Sequence, residues 1–412
     1  MALTIDSERL SRELDQLAEF SDTAAPAVTR VVYSEQDRRA RAFLKGLFRD
    51  AGLEVLEDAI GNTFARWPGS DPDLPAAATG SHIDAVPNGG KYDGTVGVLG
   101  GLEAIRALQS SGFRPRRSIE LIVFTAEEPT RFGPGCFGSR VATGAMVDWQ
   151  AGRLVDKDGK TLDQWRQEAG FEGPLESVAW PEGRYASFVE LHIEQGTELE
   201  RAGVPLGIVT AIAAPACFRV TVEGEGGHAG TVPMPARRDA LCAAAAIVLE
   251  VEKAARTAGA EESVATVGAF DVFPGAANGI PSRVRLQIDI RDTDRARRDQ
   301  LMNQIMTACR DCAIGRKLTV RAEPICMDAP AECSPEITAT LARAAGTHGL
   351  AWRHLASRAC HDTLFMTRVA RSGMLFIPCR GGVSHRPDEY AAPEAIANGA
   401  LVLAEALAEL SA

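Results

Sequence analysis

One imidazole and four carboxylates stand in three short motifs, each beside glycine or at the end of an apolar run. They are His82, Asp84, Asp93, Glu127 and Glu128. Carboxylates at such positions are costly unless something binds them, and a divalent cation is the natural partner. The pattern therefore predicts a two-metal hydrolase site. The alternative, a chance cluster of loop acids, explains a single acid more readily than five polar residues in three glycine-edged motifs.

The spacing of these residues suggests separate roles. His82 could bind a metal through one ring nitrogen while Asp84, two residues on, holds the other N–H and fixes the tautomer. Asp93, in its glycine-flanked loop, could bridge two cations. Glu127 and Glu128 are adjacent and cannot both face one metal from a regular strand, so one would ligate and the other would act as general base on a water.

Two further histidines could complete a metal shell. His192 follows another apolar run, and His385 lies in a turn near the end of the chain. Taken alone, each is more typical of a structural or surface histidine. The chain has only seven His, however, and these two occupy glycine-bounded positions like that of His82.

Size and composition favour a two-domain globular protein. The chain has 412 residues, of which 45% are hydrophobic and 24% charged. Its net charge of −11 argues against nucleic acid or an anionic membrane as a partner. Nine scattered Cys, a start unlike a signal peptide and no apolar run of membrane length lead us to expect a reduced, cytoplasmic protein.

Hydrophobic periodicity predicts an α/β domain with a largely parallel central sheet. Helices are expected at 36–52 and 94–109, and strands at 63–67, 76–80 and 119–124. Ligands of such sheets bind at the carboxyl ends of the strands, where the three motifs fall.

A second pattern interrupts the first, in the order strand, helix, strand, strand, helix, strand. This order is typical of a small α+β sandwich with an antiparallel sheet. The expected organisation is a catalytic domain in two parts, 1–210 and 328–412, with an inserted domain at 211–327. The inserted elements are expected at 218–223, 236–257, 264–273, 284–290, 294–314 and 317–324.

Across nearly its whole length the chain resembles the metal-dependent amidohydrolases of the M20 peptidase superfamily, in the hydantoinase/carbamoylase branch. That branch includes N-carbamoyl-L-amino acid hydrolases, β-ureidopropionases, allantoate amidohydrolases and ureidoglycolate amidohydrolases. The motifs that carry the resemblance are GSHIDAVPNGGKYDG at 80–94, TAEEPTRFG at 125–133, ELHIEQG at 190–196, GGHAGTVPMPARRDA at 226–240, NGIPS at 278–282, DIRD at 289–292 and SHRPDEY at 384–390.

The resemblance implies a phosphorylase/hydrolase-like catalytic domain and an inserted α+β domain whose four-stranded antiparallel sheet mediates dimerisation and acts as a lid. It also implies two divalent cations per subunit, zinc or manganese, with cobalt or nickel as alternatives. The implied metal ligands, with Asp93 bridging, are His82, Asp93, Glu128, His192 and His385.

The same resemblance assigns roles within the catalytic domain. Glu127 would be the general base, Asp84 would orient His82, and Gln195 would lie by the metal and the ureido group.

Three residues of the inserted domain would contact substrate. His228 would reach the site of the partner subunit in a homodimer and polarise the scissile carbonyl, while Asn278 and Arg291 would hold the substrate carboxylate. Each has a structural alternative. His228 could be a solvated turn residue, Asn278 is part of a common turn dipeptide, and Arg291 could pair with Asp289 or Asp292 instead.

Departures from the family pattern narrow the branch. Glu127–Pro129 reads Glu-Glu-Pro where many members have Glu-Glu-Gly, and Arg358 and Cys360 replace glycines expected to line the wall near the substrate carboxylate. These segments look most like the ureidoglycolate amidohydrolases of plants, which places the substrate among small ureido or N-carbamoyl acids. The pair His361-Asp362 is expected to support the site structurally.

Two other functions remain open. A dipeptidase or N-acyl amino acid deacylase of the same superfamily would share the metals and the base without the carbamoyl specificity. A non-catalytic binding protein that keeps the fold would have lost the base or the ligands, yet Glu127 and every expected ligand position are filled.

Overall fold

The computed structural model describes residues 3–181 and 183–412. Within them the strands are β1 Val28–Arg30, β2 Glu54–Glu57, β3 Thr63–Trp67, β4 Ala76–His82, β5 Ala85–Gly89, β6 Ile119–Phe124, β7 Tyr185–Ile193, β8 Leu206–Ile212, β9 Ala214–Glu223, β10 Gly227–His228, β11 Val264–Phe273, β12 Gly279–Ile280, β13 Arg283–Asp292, β14 Thr319–Met327, β15 Ala331–Glu332, β16 Trp352–Ser357 and β17 Arg371–Ile377. The α-helices are α1 Ser7–Ala18, α2 Glu35–Asp50, α3 Thr95–Ser110, α4 Phe137–Ala142, α5 Asp148–Ala151, α6 Leu162–Glu168, α7 Glu198–Ala202, α8 Ala240–Arg256, α9 Arg295–Ile314, α10 Pro335–Thr347, α11 Asp362–Met366 and α12 Pro393–Ser411. Among these residues no helix is long and apolar enough to cross a membrane.

The chain divides into two compact units. The first contains the described residues up to Thr210 together with Glu332–Leu355 and His361–Ala412. The second contains Ala211–Ala331 and the short segment Ala356–Cys360. The sequence pattern gave no sign of this second excursion, because five residues without periodicity carry no element signal.

The first unit is built on a mixed sheet of nine strands in the order β15-β8-β17-β7-β4-β6-β3-β2, with β16 paired to β8. The four central strands β17, β7, β4 and β6 run parallel. Strand β8 is antiparallel to β17, β3 to β6, and β2 to β3. The expectation of a largely parallel sheet therefore holds only at its centre. Strands β2 and β3 pair antiparallel because only residues 58–62 join them, too few for a parallel crossover.

The central strands are buried on both faces. Every residue of β4 and β6 is buried, which is why these strands, apart from His82 and Glu120, are apolar or small rather than alternating. The core between sheet and helices includes Leu99 and Leu102 of α3, Leu121 of β6, Leu191 of β7 and Leu403 of α12. This packing fixes the directions in which the strand ends emerge.

The second unit has its own four-stranded antiparallel sheet, in the order β11-β13-β9-β14. Alternate residues of β9 and β13 are buried, as period-two patterning requires. Their apolar face forms a separate core with helices α8 and α9, which includes Val220, Leu286, Ile247 and Ile305.

Arg30 ties the first β-strand to the segment that carries His82. Its side chain is almost fully buried, at 1% exposure. The guanidinium donates to the backbone carbonyl oxygens of Ile83 at 2.6 Å, Leu17 at 2.8 Å and Phe20 at 2.9 Å. Burial lowers the pKa of Arg30 to about 10. The arginine thus joins the carbonyl that follows β4 to two carbonyls at and just after the end of α1.

Replacing Arg30 by Met should lower the free energy of unfolding by about 2–4 kcal/mol, because buried carbonyl oxygens lose their donors. Urea denaturation of the metal-free protein would measure the change. The matched control is Arg38→Met, on the exposed face of α2, which should shift stability by no more than about 0.5 kcal/mol. Equal midpoints for the two variants would contradict this account of Arg30.

Candidate active site

The candidate chemical residues collect at the carboxyl ends of the central parallel strands. His82 ends β4, Glu127 and Glu128 follow β6, and His192 is next to last in β7. In sheets of this kind ligands bind at this edge. Loops supply the remaining two, Asp93 just before α3 and His385 between β17 and α12.

Asp93 contacts the side chains on both sides of the candidate site. Its Oδ1 lies 3.5 Å from Nε2 of His82 and 3.2 Å from Nε2 of His192. Its Oδ2 lies 3.4 Å from Nε2 of His385, which in turn is 3.0 Å from Oε1 of Glu128. The side chains thus form two candidate metal-binding groups, His82–Asp93–His192 and Asp93–Glu128–His385, each with its donor atoms within 4.8 Å of one another.

The electrostatics of this cluster favour the binding of a cation. Burial opposes ionisation of Asp93, yet the three surrounding histidines hold its pKa well below the usual value. Burial raises the pKa of Glu128. Hydrogen bonds to Asp93 and Glu128 raise the pKa of His385 to about 11. A bound cation would balance the negative charge of these carboxylates and would displace protons from the imidazoles.

Gln195 gives a further sign that a bound group belongs here. Its Nε2 donates to Oδ2 of Asp93 at 2.6 Å. Its Oε1 is buried and has no hydrogen-bond partner among the described residues. Buried polar atoms are almost always satisfied, so an orphaned acceptor beside a carboxylate cluster fits a site completed by metal, water or substrate. The backbone of Gln195 is left-handed, with φ of 55°, a strain that is typical of functional positions.

Asp84 contributes through two different groups. Its backbone carbonyl accepts a hydrogen bond from Nδ1 of His82 at 3.0 Å, whereas its carboxylate is 3.6 Å from that nitrogen. The carboxylate instead accepts the backbone N–H groups of Glu127 at 3.2 Å and Glu128 at 3.0 Å. A carbonyl can only accept, so Nδ1 of His82 carries the proton and Nε2 is free to ligate. The carboxylate holds the glutamate turn.

The two adjacent glutamates diverge as the sequence suggested they must. Ala126 before them adopts a left-handed conformation, with φ of 55°, which turns the chain sharply after β6. Oε2 of Glu127 then lies 3.7 Å from Nε2 of His82, while Oε1 of Glu128 faces His385. Glu127 also accepts a hydrogen bond from Sγ of Cys136 at 3.3 Å. One glutamate can therefore ligate while the other remains available as a base.

Gly94 makes the close approach of His82 possible. A Cβ at this position would overlap the imidazole ring of His82, and the residue has a φ of 66°. Only glycine meets both conditions without strain. The glycine beside Asp93 is thus a packing requirement of the site.

Sequence analysis missed a buried polar layer beneath the histidines. Glu190 is fully buried and accepts hydrogen bonds from Oγ of Ser81 at 2.7 Å and Oγ1 of Thr363 at 2.6 Å. Its carboxylate forms a third group with His192 and His361, but its oxygens already hold hydroxyl donors. The only signal was a charged residue inside an apolar run.

His361 and Asp362 belong to the same layer. The His361 ring packs 4.4 Å, centroid to centroid, from that of His192. Asp362 accepts a hydrogen bond from Ser139, and burial raises its pKa to about 8. His361 thus packs against one candidate ligand, and Asp362 lies next to it in sequence.

Comparison with known proteins identifies the family of this chain. Residues 78–409 match the profile of peptidase family M20/M25/M40. The chain belongs to that family.

Individual relatives agree over nearly the full chain. Ureidoglycolate hydrolase of Oryza sativa subsp. japonica is 47% identical over 412 residues, which cover 99% of this chain and 85% of the relative. N-carbamoyl-L-amino acid amidohydrolase of Geobacillus stearothermophilus is 38% identical over 400 residues, or 97% of each chain. A crystal structure of AtUAH in complex with (S)-hydroxyglycine matches with a TM-score of 0.93 and 46% identity, over 99% of this chain and 98% of the other.

In the second unit of this M20-family chain, His228 and Asn278 are neighbours. Strand β10 pairs with β12 so that His228 stands opposite Gly279, and the N–H of Ala229 donates to the carbonyl of Asn278 at 2.9 Å. The N–H of Gly230 donates to Nδ1 of His228 at 3.0 Å. A backbone N–H can only donate, so the neutral ring carries its proton on Nε2. The exposed imidazole is therefore preset as a donor, the form needed to polarise a carbonyl.

The guanidinium groups of Arg291 and Arg358 in the second unit are already paired. Nε and Nη2 of Arg291 both bond to Asp289 at 2.9 Å, the structural alternative left open by the sequence. Nη2 of Arg358 donates to Glu261 at 3.0 Å, and Cys360 lies in the same short segment. Asp289 occupies only one edge of the Arg291 fork, so the opposite edge, Nη1, can still meet a carboxylate.

Proposed function

We propose that this protein is a metal-dependent amidohydrolase that cleaves the linear amide C–N bond of a small ureido or N-carbamoyl acid, with ureidoglycolate as the leading substrate. The observation that carries the proposal is the pair of histidine and carboxylate groups joined by Asp93. The family and the names of the relatives supply the class of substrate.

The ligand of the AtUAH structure supports the choice of substrate. That ligand is (S)-hydroxyglycine, which is what remains of ureidoglycolate when its carbamoyl group is removed. Hydrolysis of the ureido C–N bond adds water across it, so the amine leaves with one proton and the carbamate released breaks down to ammonia and carbon dioxide. We expect the same chemistry here.

The candidate site residues of the first unit have separate parts in that reaction. His82 and His192 would hold one cation, Glu128 and His385 the other, and Asp93 both. Bound divalent cations supply Lewis-acid polarisation of the attacking water and of the scissile carbonyl. Glu127 accepts the proton of the water and returns it to the leaving nitrogen. The metals are zinc or manganese, with cobalt and nickel as alternatives.

The second unit would complete substrate binding. We propose that Asn278 and Arg291 bind the substrate carboxylate and that Arg358 and Cys360 shape the adjacent wall. His228 would act on the scissile carbonyl of the partner subunit in a homodimer, with the inserted domain as dimerisation element and lid. Among the described residues none of the nine cysteines is in a disulfide, and we propose a reducing, cytoplasmic location.

An ammonia-release assay tests this function. The protein is stripped of metal, reloaded with Mn or Zn, and assayed with ureidoglycolate, N-carbamoyl-L-amino acids and allantoate. We expect metal-dependent ammonia release that is fastest with ureidoglycolate. Dipeptides and N-acetyl amino acids release no ammonia on hydrolysis, so a parallel assay follows the amino acid that they release. Hydrolysis of these substrates instead would establish the alternative, a dipeptidase or deacylase. No turnover of either class by metal-loaded protein would remove the proposal.

A further inference from the structure

Glu389 is a buried carboxylate to which the reaction gives no role. It is only 5% exposed. Its Oε1 accepts the backbone N–H groups of Tyr92 at 2.8 Å and Asp93 at 3.0 Å, and its Oε2 accepts Oγ–H of Ser384 at 2.8 Å. These three partners are neutral donors. The buried carboxylate of Glu389 therefore holds the loop of Asp93 by hydrogen bonds and forms no ion pair with these partners.

The site makes room for this carboxylate at Gly90. A Cβ on Gly90 would overlap the carboxyl carbon of Glu389. Gly90 therefore leaves the space beside the Asp93 loop that Glu389, from the C-terminal part of the first unit, occupies. The contact spans 296 positions of sequence between Asp93 and Glu389.

Ser384 links Glu389 directly to the bridging carboxylate. Its hydroxyl lies within hydrogen-bond distance of both Oδ2 of Asp93 and Oε2 of Glu389. A hydroxyl has one proton and can donate to only one of them at a time. If it donates to Asp93, it occupies a lone pair on the oxygen that faces His385. If it donates to Glu389, that lone pair is free for a cation.

From this geometry we infer that Glu389 is a positioning residue for the shared carboxylate. It fixes the backbone at Asp93 through two N–H groups and draws the Ser384 proton away from Oδ2 of Asp93. It thereby governs the affinity of the metal position made by Asp93, Glu128 and His385. The inference rests on the metal dependence of the proposed function and concerns one of its two metal positions.

Glu389→Gln is the decisive variant because it keeps the shape and replaces one acceptor oxygen by an N–H₂ donor. Metal content is measured by elemental analysis of the folded protein, and affinity by competition with a graded chelator. We expect wild-type protein to hold two ions per subunit. In the variant the ion at the position of Asp93, Glu128 and His385 should bind about 10- to 100-fold less tightly. A loss of this size is usual when a residue that supports a metal ligand is changed. Asp388→Asn, an exposed neighbour paired with Arg386, is the control and should retain both ions.

A double variant separates positioning from a general structural effect. In Glu389→Gln the Ser384 proton should turn to Asp93 and compete with the cation. Ser384→Ala in that background removes the competitor, so affinity should recover in part. A merely structural role predicts further loss instead, and that result would overturn the inference.

Gly90→Ala approaches the same carboxylate from the other side and serves if Glu389→Gln yields no folded protein. The added methyl group displaces Glu389 and should reproduce the weaker metal binding at the position of Asp93, Glu128 and His385. Folded Glu389→Gln or Gly90→Ala with wild-type affinity at both positions would refute the role of Glu389. A wild-type protein that binds no divalent metal would instead refute the proposed function itself.

Discussion

The Glu127→Gln variant is expected to hydrolyse substrate about a thousandfold more slowly than the wild type while its metal content stays unchanged. Glutamine has nearly the same size and can keep the hydrogen bond from Cys136, but it cannot accept a proton. Oε2 of Glu127 lies 3.7 Å from Nε2 of His82, whereas Oε1 of Glu128 faces His385. The loss should therefore appear in kcat.

The neighbouring residue supplies the matched comparison. Oε1 of Glu128 is 3.0 Å from Nε2 of His385, so Glu128→Gln should lose metal as well as activity. Steady-state kinetics and elemental analysis of both variants distinguish the roles. Metal loss in Glu127→Gln would make Glu127 a ligand, and undiminished turnover would exclude it as the base.

Asp93→Ala should have the largest effect of any single substitution, because it removes a ligand from both metal groups at once. We expect metal content near zero and activity reduced by about 10⁴-fold or more, a large part of the acceleration that enzymes achieve. The folded apo protein should also lose its metal-dependent rise in melting temperature, since a ligand stabilises only the state it binds.

His385→Ala gives the intermediate case. His82, His192 and Asp93 remain in place, so one ion should persist and the melting temperature should still respond to metal. His348→Ala is the control, since that ring pairs with Glu405 at 3.3 Å on another part of the first unit. Equal metal content in Asp93→Ala and His385→Ala would show that Asp93 is not shared. Elemental analysis and thermal melts decide between these outcomes.

Local patterns predicted the elements and the chemical residues. The strands at 63–67, 119–124 and 264–273 were predicted to the residue, and the other predicted elements lie within a few positions of their expected bounds. The reason is that period-two and period-3.6 patterns and strand-end glycines are carried by neighbouring residues. The candidate ligands could be named for the same reason, because each ends or follows an element.

The pairing of each polar group could not be read in this way. The sequence left Arg291 with two options, and the structure pairs it with Asp289. Asp84 was expected to hold His82 with its carboxylate, yet its carbonyl is the nearer acceptor. The second outcome depends on the left-handed turn at Ala126, which precedes the backbone N–H groups that the Asp84 carboxylate accepts and which no spacing rule specifies.

The sequence by itself determined the family of this chain and predicted a two-metal hydrolase site, since the donor types, their glycine neighbours and their places at strand ends are all local properties. Only the tertiary structure decided how the site is assembled. Asp93 meets Ser384 across 291 positions of sequence and Glu389 across 296. Contacts of that range exist only once the parallel strands and the closing helix have packed, because hydrophobic burial and not sequence proximity brings those groups together.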